Sequence, residues 1–531
     1  MSTTPLSRER ELAARFLALP KDRRQKFYAA LTQQGIQSNV LPIPLTPACA
    51  EREQLSYAQE RLWFLAQLEP DSTAYNMAGA LRLRGTPDVQ ALRRALSVIV
   101  QRHESLRTRF ETEGGVARAR ICADAEAPLS ESDARAEYAL DGERAVTAWA
   151  EREAEIVFDL AQGPLLRVHL VRFGDADFGL YVCMHHIVSD GWSLRVLIAE
   201  LVSCYDHFAV GASTPPALPE LPIQYADYAV WQRAWLEAGE RERQLEYWRE
   251  QLAGASRVLP LPADRPRPPV QSQRGAVHNF VLPVALAREL RRLAQEQGVT
   301  LFMLGLAAYK ALLYRATGEQ DLRVGSSIAS RNRLETEGLI GFFVNTQVLR
   351  TQLAPVLTFT QLLAAVKQTA LAAASHQELP FEQLVDALAP ERSLAHNPLF
   401  QVHYDHQGSA YDALGALAGL SVEPIAREQR GTVFDLMLTT LEQSDGSIAA
   451  TFTYATDLFD HVTIERLAVR FVKLLTQVSR APDTTLARLV LSEPSERMGT
   501  LAVRDLALAD DTTRAWFDAN AGAAQSIQVL D

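Results

Sequence analysis

The stretch "YVCMHHIVSDGWSL", residues 181–194, decides how this chain is read. Strand-forming apolar residues run straight into two adjacent histidines, and an Asp-Gly pair follows four residues later. Residues 178–184 predict a buried strand, Asp190-Gly191 a turn, and Ser193 a cap for the helix "SLRVLIAELVSCYDHF". His185 and His186 therefore sit where the chain leaves a strand for a cleft. Neighbouring side chains of a strand point to opposite faces, so one imidazole is expected to face a cavity while the other packs inward. Asp190 is near enough to brace the loop or to pair with an arginine from elsewhere. An imidazole takes or returns a proton near neutral pH. No G-x-S-x-G nucleophile elbow adjoins it, which favours direct transfer between two bound substrates over a covalent acyl-enzyme. Histidines on opposite strand faces would not easily share one metal ion, so no metal site is expected.

Helices and strands alternate on both sides of this stretch. "YAQERLWFLAQLEP" predicts a helix, "YNMAGALRLRG" a strand and "DVQALRRALSVIVQRHESLRTRF" a segment that begins as a helix. "VFDLAQGPLLRVHLVRFG" predicts a strand entered through a Gly-Pro turn. Two Pro-rich connections follow, "GASTPPALPELP" and "LPLPADRPRPPVQSQRG". Beyond them "PVALARELRRLAQEQGVTLFMLGLAAYKALLYRATG" is nearly all helical. "DLRVGSSIASRNR" contains a strand and "FDLMLTTLEQSDGSIAATFTYATDLF" two adjacent strands. The fold class is α/β, or α+β, with both element types interspersed in two halves. The division reads as a helical extension and linker over 1–48, a first lobe with the two histidines over 49–222, a second lobe over 223–480 and a tail over 481–531. The extension has the pattern of one or two amphipathic helices, suited to packing on the chain or to docking another protein.

The bulk numbers agree with a two-lobed enzyme. A chain of 531 residues exceeds the roughly 250–300 residues at which single cores stop growing. No apolar run reaches the roughly 18 residues of a membrane-spanning helix, and the N-terminus is charged, which argues against a span and against secretion. Four cysteines, Cys49, Cys122, Cys183 and Cys204, form no CxxC pair, and a reducing cytoplasm fits them. The net charge of −11 argues against general nucleic-acid binding.

HHIVSDG fits HHxxxDG, and further motifs stand in order beside it. These are "LSYAQERLWFL" (55–65), "RHESLRTRF" (102–110), "YADYAVWQ" (225–232), "IGFFVNT" (340–346), "HQELPFEQLVDAL" (376–388) and "NPLFQV" (397–402). The set resembles the condensation domains of nonribosomal peptide synthetases, within the chloramphenicol-acetyltransferase-like acyltransferases. The resemblance covers residues 55 to about 480. It implies two chloramphenicol-acetyltransferase-like lobes in a V around a central tunnel. Upstream donor and downstream acceptor peptidyl carrier proteins would deliver substrates on phosphopantetheine arms, next to an adenylation domain. The domain itself would bind no cofactor. The acceptor amine would attack the donor acyl thioester and form an amide.

Carried over by position, His186 would contact the attacking amine, as general base or as positioner and stabiliser of the tetrahedral intermediate. A thioester is already activated, so orientation can supply much of the rate. His185 is expected to be structural. Asp190 is expected to pair with an arginine, Arg331 first and Arg107 second. Gly191 is expected to keep the loop open for the incoming amine or phosphopantetheine arm, on which a Cβ would intrude. Asn345 and Trp192 are expected to line the cavity, and Arg107 and Asn345 have lobe scaffolding as their alternative role. Arg195 departs from the small residue expected there. It is expected on the helix surface, with intrusion on the acceptor passage or pairing with an incoming carboxylate as the other readings.

Within the family, the first His of the motif argues against heterocyclisation, whose relatives carry Asp there. Epimerisation relatives keep HHxxxDG but differ around the motif that reads "IGFFVNT" here. Ser189 before Asp190 resembles domains that take an L-configured donor or start from a lipid. A start at Met1 raises three readings: a domain that opens its polypeptide with a fatty acyl group, one that receives a peptide through residues 1–45, or a piece excised from a longer chain. A catalytically idle, recruiting domain of the same fold is the rival from another class. It need not keep an intact HHxxxDG.

Overall fold

The computed structural model describes residues 5–34, 41–46, 51–123, 126–254, 258–388, 393–408, 417–425 and 431–491. Most of the tail expected over 481–531, and Cys49, lie outside them. Thirteen strands are described: β1 (Asn76–Arg84), β2 (Thr108–Glu113), β3 (Val116–Ile121), β4 (Leu129–Asp133), β5 (Leu166–Gly174), β6 (Asp177–His185), β7 (Gly275–Leu282), β8 (Asp321–Ile328), β9 (Asn345–Gln352), β10 (Val402–Gln407), β11 (Ser421–Pro424), β12 (Leu436–Glu442) and β13 (Ile448–Ala455). They form a five-stranded sheet in the order β11-β1-β6-β5-β4, a six-stranded sheet in the order β7-β13-β12-β10-β8-β9, and the β2-β3 hairpin. The expected helix and strand content is present in both halves.

β6 is central to the first sheet. It pairs antiparallel with β1 on one side and β5 on the other, Met184 lying opposite both Met77 and Leu166. Buried on both faces, it reads as a nearly continuous apolar run. The helices Val89–Arg102 and Gly191–Ala209 contribute Leu92, Leu96, Ile99, Leu197 and Leu201 to the core that packs with Leu166, Leu180 and Met184. Each such side chain contributes about 1.5–3 kcal/mol relative to exposure. This packing fixes the end of β6, and so the place of the histidines.

The second sheet carries the helices Val284–Glu296, Leu301–Thr317, Phe359–Ala374 and His461–Arg480 in one large core. The helix pair Val284–Glu296 and Leu301–Thr317 is bent by 105°, and among the described residues no single helix is long and apolar enough to cross a membrane. Leu304, Ala307, Ala308, Ala311 and Leu312 are almost wholly buried in that core.

Two features tie the halves together. β11 comes from far along the chain, yet it forms the edge of the first sheet, with Leu83 opposite Val422. A cut at residue 222 therefore does not separate the two sheets. At the other end, helices Pro5–Ala18 and Lys21–Gln33 pack on the helix Tyr225–Trp235 and the turn after it. Phe16 and Tyr28 both meet the Trp235 ring edge-on, at 5.4 and 5.1 Å. The Tyr28 hydroxyl donates to Glu240 Oε2 at 2.6 Å.

Candidate active site

β6 ends at His185, a short turn covers His186–Val188, and Asp190 starts the helix Gly191–Ala209. The chain is held tightly through this passage. The His185 N–H donates to the Leu165 carbonyl at 3.0 Å and the His186 N–H to the Tyr75 carbonyl at 2.9 Å.

The two imidazoles are fixed in opposite tautomers. His186 Nδ1 lies 2.7 Å from the Ser189 carbonyl. A carbonyl only accepts, so Nδ1 carries the proton and Nε2 keeps its lone pair. His185 Nδ1 accepts from the Ile187 N–H at 3.2 Å, which leaves its proton on Nε2. Burial holds His186 below the ordinary imidazole range, against the Ser189 carbonyl and the Asp190 charge, which pull the other way. Burial, and then the neighbouring His186, bring His185 down to about 4. Both rings are thus neutral at pH 7. His185 is buried beside Phe158, its ring edge-on at 6.0 Å.

His186 opens on a cavity of about 340 Å³ where the two halves meet. Leu62 and Tyr75 line it from the first half, and Tyr228, Phe342, Asn345 and Phe400 from the second. The Phe342 ring lies 4.8 Å from that of His186. No other residue is hydrogen-bonded to His186 Nε2 among the described residues. The arrangement offers a neutral, oriented proton acceptor to a molecule in the cavity.

Asp190 works behind this wall. It is 1% exposed. Its Oδ1 accepts from the Ser193 N–H at 2.8 Å, the Ser193 hydroxyl at 2.7 Å and Arg331 Nη2 at 3.1 Å. Its Oδ2 accepts from the Phe343 N–H at 3.0 Å. The helix cap is therefore Asp190, and Ser193 is the third helical residue that donates to it, a correction to the expected cap. Gly191 opens the helix instead of forming a turn. The Ser193 hydroxyl also accepts from the Gly341 N–H at 3.0 Å. One carboxylate thus holds the loop, the helix start and the segment that presses Phe342 onto His186.

The expected pairing of Asp190 with Arg331 is present. Arg331 also donates to the Leu339 carbonyl at 2.8 Å and stacks over Phe343 at 4.1 Å. Arg107 does not take this role. It starts near β2, and its Nη1 donates to the Cys122 carbonyl. Asn345 both lines the cavity and ties β9 to the next segment, its Nδ2 donating to the Leu379 carbonyl at 2.7 Å and its Oδ1 accepting from the Phe381 N–H at 3.0 Å. Trp192 is not on the cavity. Its indole donates to the Glu337 carbonyl at 2.9 Å, because the helix turns that side chain away from His186. Arg195 stacks on Trp192 at 4.2 Å on the exposed face of the helix, clear of the cavity lining. A Cβ at Gly191 would meet no protein atom within 4 Å, so protein packing makes no demand for glycine there and the space it would enter is open.

The sequence reading did not single out Tyr75, Phe342, Glu378 or Ser330, all of which line the cavity. Phe342 and Glu378 lie inside quoted motifs, which is the signal that marks them. The Glu378 carboxyl is pushed up by burial, although Arg333 pulls it down, and its Oε2 accepts from the Trp235 indole at 3.1 Å.

Comparison with known proteins places this geometry. The Condensation domain family matches residues 50–498. A linear gramicidin synthase polypeptide of Brevibacillus parabrevis is 44% identical over 464 residues, which are 87% of this chain and 6% of that protein. The phosphinothricin tripeptide synthetase PhsC of Streptomyces viridochromogenes is 40% identical over 488 residues, 90% of this chain and 44% of that protein. The chain thus spans less than half the length of these relatives. Among solved structures, the X-domain from teicoplanin biosynthesis is similar with a TM-score of 0.73 and 30% identity, covering 84% of this chain and 99% of that one. The condensation domain of the monacolin K polyketide synthase MokA shares the fold, with a TM-score of 0.71 and 23% identity over 82% of this chain and 99% of that one. Two lobes, an HHxxxDG loop at their meeting place and this coverage have one conclusion: the chain belongs to the condensation-domain family of the nonribosomal peptide synthetases.

Proposed function

We propose that this domain is an amide-forming acyltransferase. It joins a donor acyl or peptidyl thioester to the amine of an acceptor aminoacyl thioester, each delivered on the phosphopantetheine arm of a carrier protein. An adjacent adenylation domain loads those carriers, and the domain works in the cytoplasm. The observation that carries the reading is His186, a neutral imidazole in fixed tautomer, with Nε2 unclaimed, on a cavity walled by both halves. In the reaction the amine nitrogen bonds to the thioester carbon, the C–S bond breaks, and the amine proton passes to the departing sulfur. Nε2 serves the step by accepting that proton or by holding the N–H while the tetrahedral intermediate forms. His185, Asp190 and Asn345 act as positioning residues, through the loop and the wall that carry His186.

The peptide-synthetase relatives favour an aminoacyl or peptidyl donor over fatty acyl-CoA. The likeness to an X-domain, solved in a complex with OxyB, supports a second reading, a recruiting domain without chemistry. The test is a reconstitution with defined acyl-CoA, acyl-carrier and peptidyl-carrier donors and a loaded acceptor carrier, read by intact-protein mass spectrometry. The expected result is an extended acceptor with wild-type protein and none above background with His186→Ala. No transfer with any donor, by a folded wild-type protein, favours the recruiting reading.

A further inference from the structure

Ser330 has two features that neither the fold nor the chemistry at His186 requires. Its φ is +50°, in the left-handed region that glycine adopts freely and other residues at a cost. Among the described residues only one other non-glycine, Gln273, has a positive φ. The Ser330 hydroxyl is also shielded from solvent with no hydrogen-bond partner among the described residues. An unmade hydrogen bond at a shielded group is destabilising, and native structures keep few of them.

Both features fall on the wall of the His186 cavity, which Ser330 lines. The backbone turn has a visible cause. Ser330 precedes Arg331, whose guanidinium must reach Asp190. Glycine at 330 would make that turn without strain and without a stranded hydroxyl. The neighbouring cavity wall is polar but loosely bonded. Asn332 Nδ2 lies 3.5 Å from Glu378 Oε1, and Ser327 Oγ lies 3.4 Å from His403 Nε2. Tyr75, Leu62 and Phe342 line the same cavity with apolar surface. Neither the fold nor the chemistry at His186 uses the Ser330 hydroxyl. Strained backbone of this kind clusters at active sites and ligand clamps.

Resting on the proposed amide-forming reaction, we infer that the Ser330 hydroxyl, turned into the cavity by rotation about its Cα–Cβ bond, recognises a substrate side chain that hydrogen-bonds, a hydroxyl or a carboxamide. Such a side chain enters on either thioester, donor or acceptor. The hydroxyl supplies one donor and two acceptor positions, and Asn332 and Glu378 stand beside it on the same wall. A substrate of this class fills the missing bond, and an aliphatic one of equal shape leaves it unmade.

The experiment uses the whole chain with loaded carrier proteins and shape-matched pairs, threonyl against valyl and asparaginyl against leucyl. One arm varies the acceptor with a fixed alanyl donor, and the other varies the donor with a fixed alanyl acceptor. The expected result is a polar-over-apolar preference of about 10-fold in kcat/KM in one arm. Ser330→Ala and Ser330→Gly are expected to bring that ratio close to one, and the arm that responds identifies the substrate. Ser330→Gly is also expected to melt about 2 °C above wild type, because it removes the strain. Equal rates in both arms with wild type, a preference that survives in both variants, or no gain in melting temperature for Ser330→Gly overturns the inference alone. A wild-type protein that forms no amide with any pair overturns the proposed function, and this inference with it.

Discussion

Arg331 Nη2 approaches Asp190 Oδ1 to 3.1 Å, and the two side chains, 1% and 2% exposed, join residues that are 141 positions apart in the chain. The pair is more than an ion pair in isolation. The same carboxylate caps the helix Gly191–Ala209 and accepts the Phe343 N–H, while the same guanidinium holds the carbonyls at 336 and 339. Removing either partner leaves a buried charge without its counterpart.

Asp190→Ala is therefore expected to lose about 3–5 kcal/mol of stability, from the stranded Arg331 and the lost cap together. Asp190→Asn keeps a capping oxygen and is expected to fall between the two. Urea unfolding of the three proteins measures the order. An Asp190→Ala protein as stable as wild type contradicts the clasp. Arg107→Ala, outside this network, is expected to leave the clasp and its stabilisation of the helix intact.

The neutral histidines make stability depend on acid. His185 falls from an ordinary value of 6.5 to about 4 on folding, chiefly through burial, and His186 shifts the same way. Between about pH 4 and pH 6.5 the unfolded chain therefore binds more protons than the folded one. Stability is complete above pH 6.5 and is lost as pH falls through that window, by about 3 kcal/mol for His185. Unfolding at pH 7.0, 5.5 and 4.5 measures the loss, and His185→Gln is expected to flatten it. The same shift keeps His186 unprotonated below pH 6.5, so the acid limb of the rate is expected below that value.

What could be read from the sequence was whatever is set locally. β6 and the helix after it were legible because apolar residues crowd one strand and then recur at helical spacing. Arg331, 141 positions away, was legible as the partner of Asp190 only through the family resemblance, by its place in "IASRNR". The cap was not, since Asp190 and Ser193 are both good capping residues three positions apart and only the backbone path selects one. β11 was not legible either. It is four residues long, pairs on one side only among the described residues, and its pairing to β1 depends on the distant chain coming back across the halves. The cavity wall was the least legible part, because Tyr75, Ser330, Phe342 and Glu378 arrive from separate elements and meet only in the folded chain. Trp192 failed as a lining residue for a similar reason, since one step along a helix turns a side chain by about 100°.

Gly341 is where a small change is expected to reach the site indirectly. A Cβ there would overlap the Tyr225 ring and crowd Phe343. The segment is fixed on both sides, by the Ser193 hydroxyl at the Gly341 N–H and by Tyr225, whose hydroxyl donates to the Phe342 carbonyl at 2.6 Å. Gly341→Ala is expected to cost about 1–3 kcal/mol of stability and to move Phe342 off His186. Amide formation is then expected to fall by more than the loss of folded protein explains. Rate per folded molecule, with the folded fraction taken from circular dichroism, separates the two effects.

Lys310 lies in the core of the second half. It is 0% exposed, and its Nζ donates to the Leu349 carbonyl and the Thr351 hydroxyl, each at 2.7 Å. Two neutral acceptors do not replace a counter-ion, and burial brings the amine from 10.5 down to about 7. Folding thus favours the neutral amine. Between pH 7 and 10.5 the folded protein binds fewer protons than the unfolded chain, and this group makes stability rise with pH there. The rise is on the order of 4 kcal/mol across the whole window. Lys310→Met keeps the length and apolar stem of the side chain and removes the titration. Its stability relative to wild type is expected to be greatest at pH 7 and to shrink by pH 9. A difference that does not change between those two pH values would mean that Lys310 stays charged in the fold.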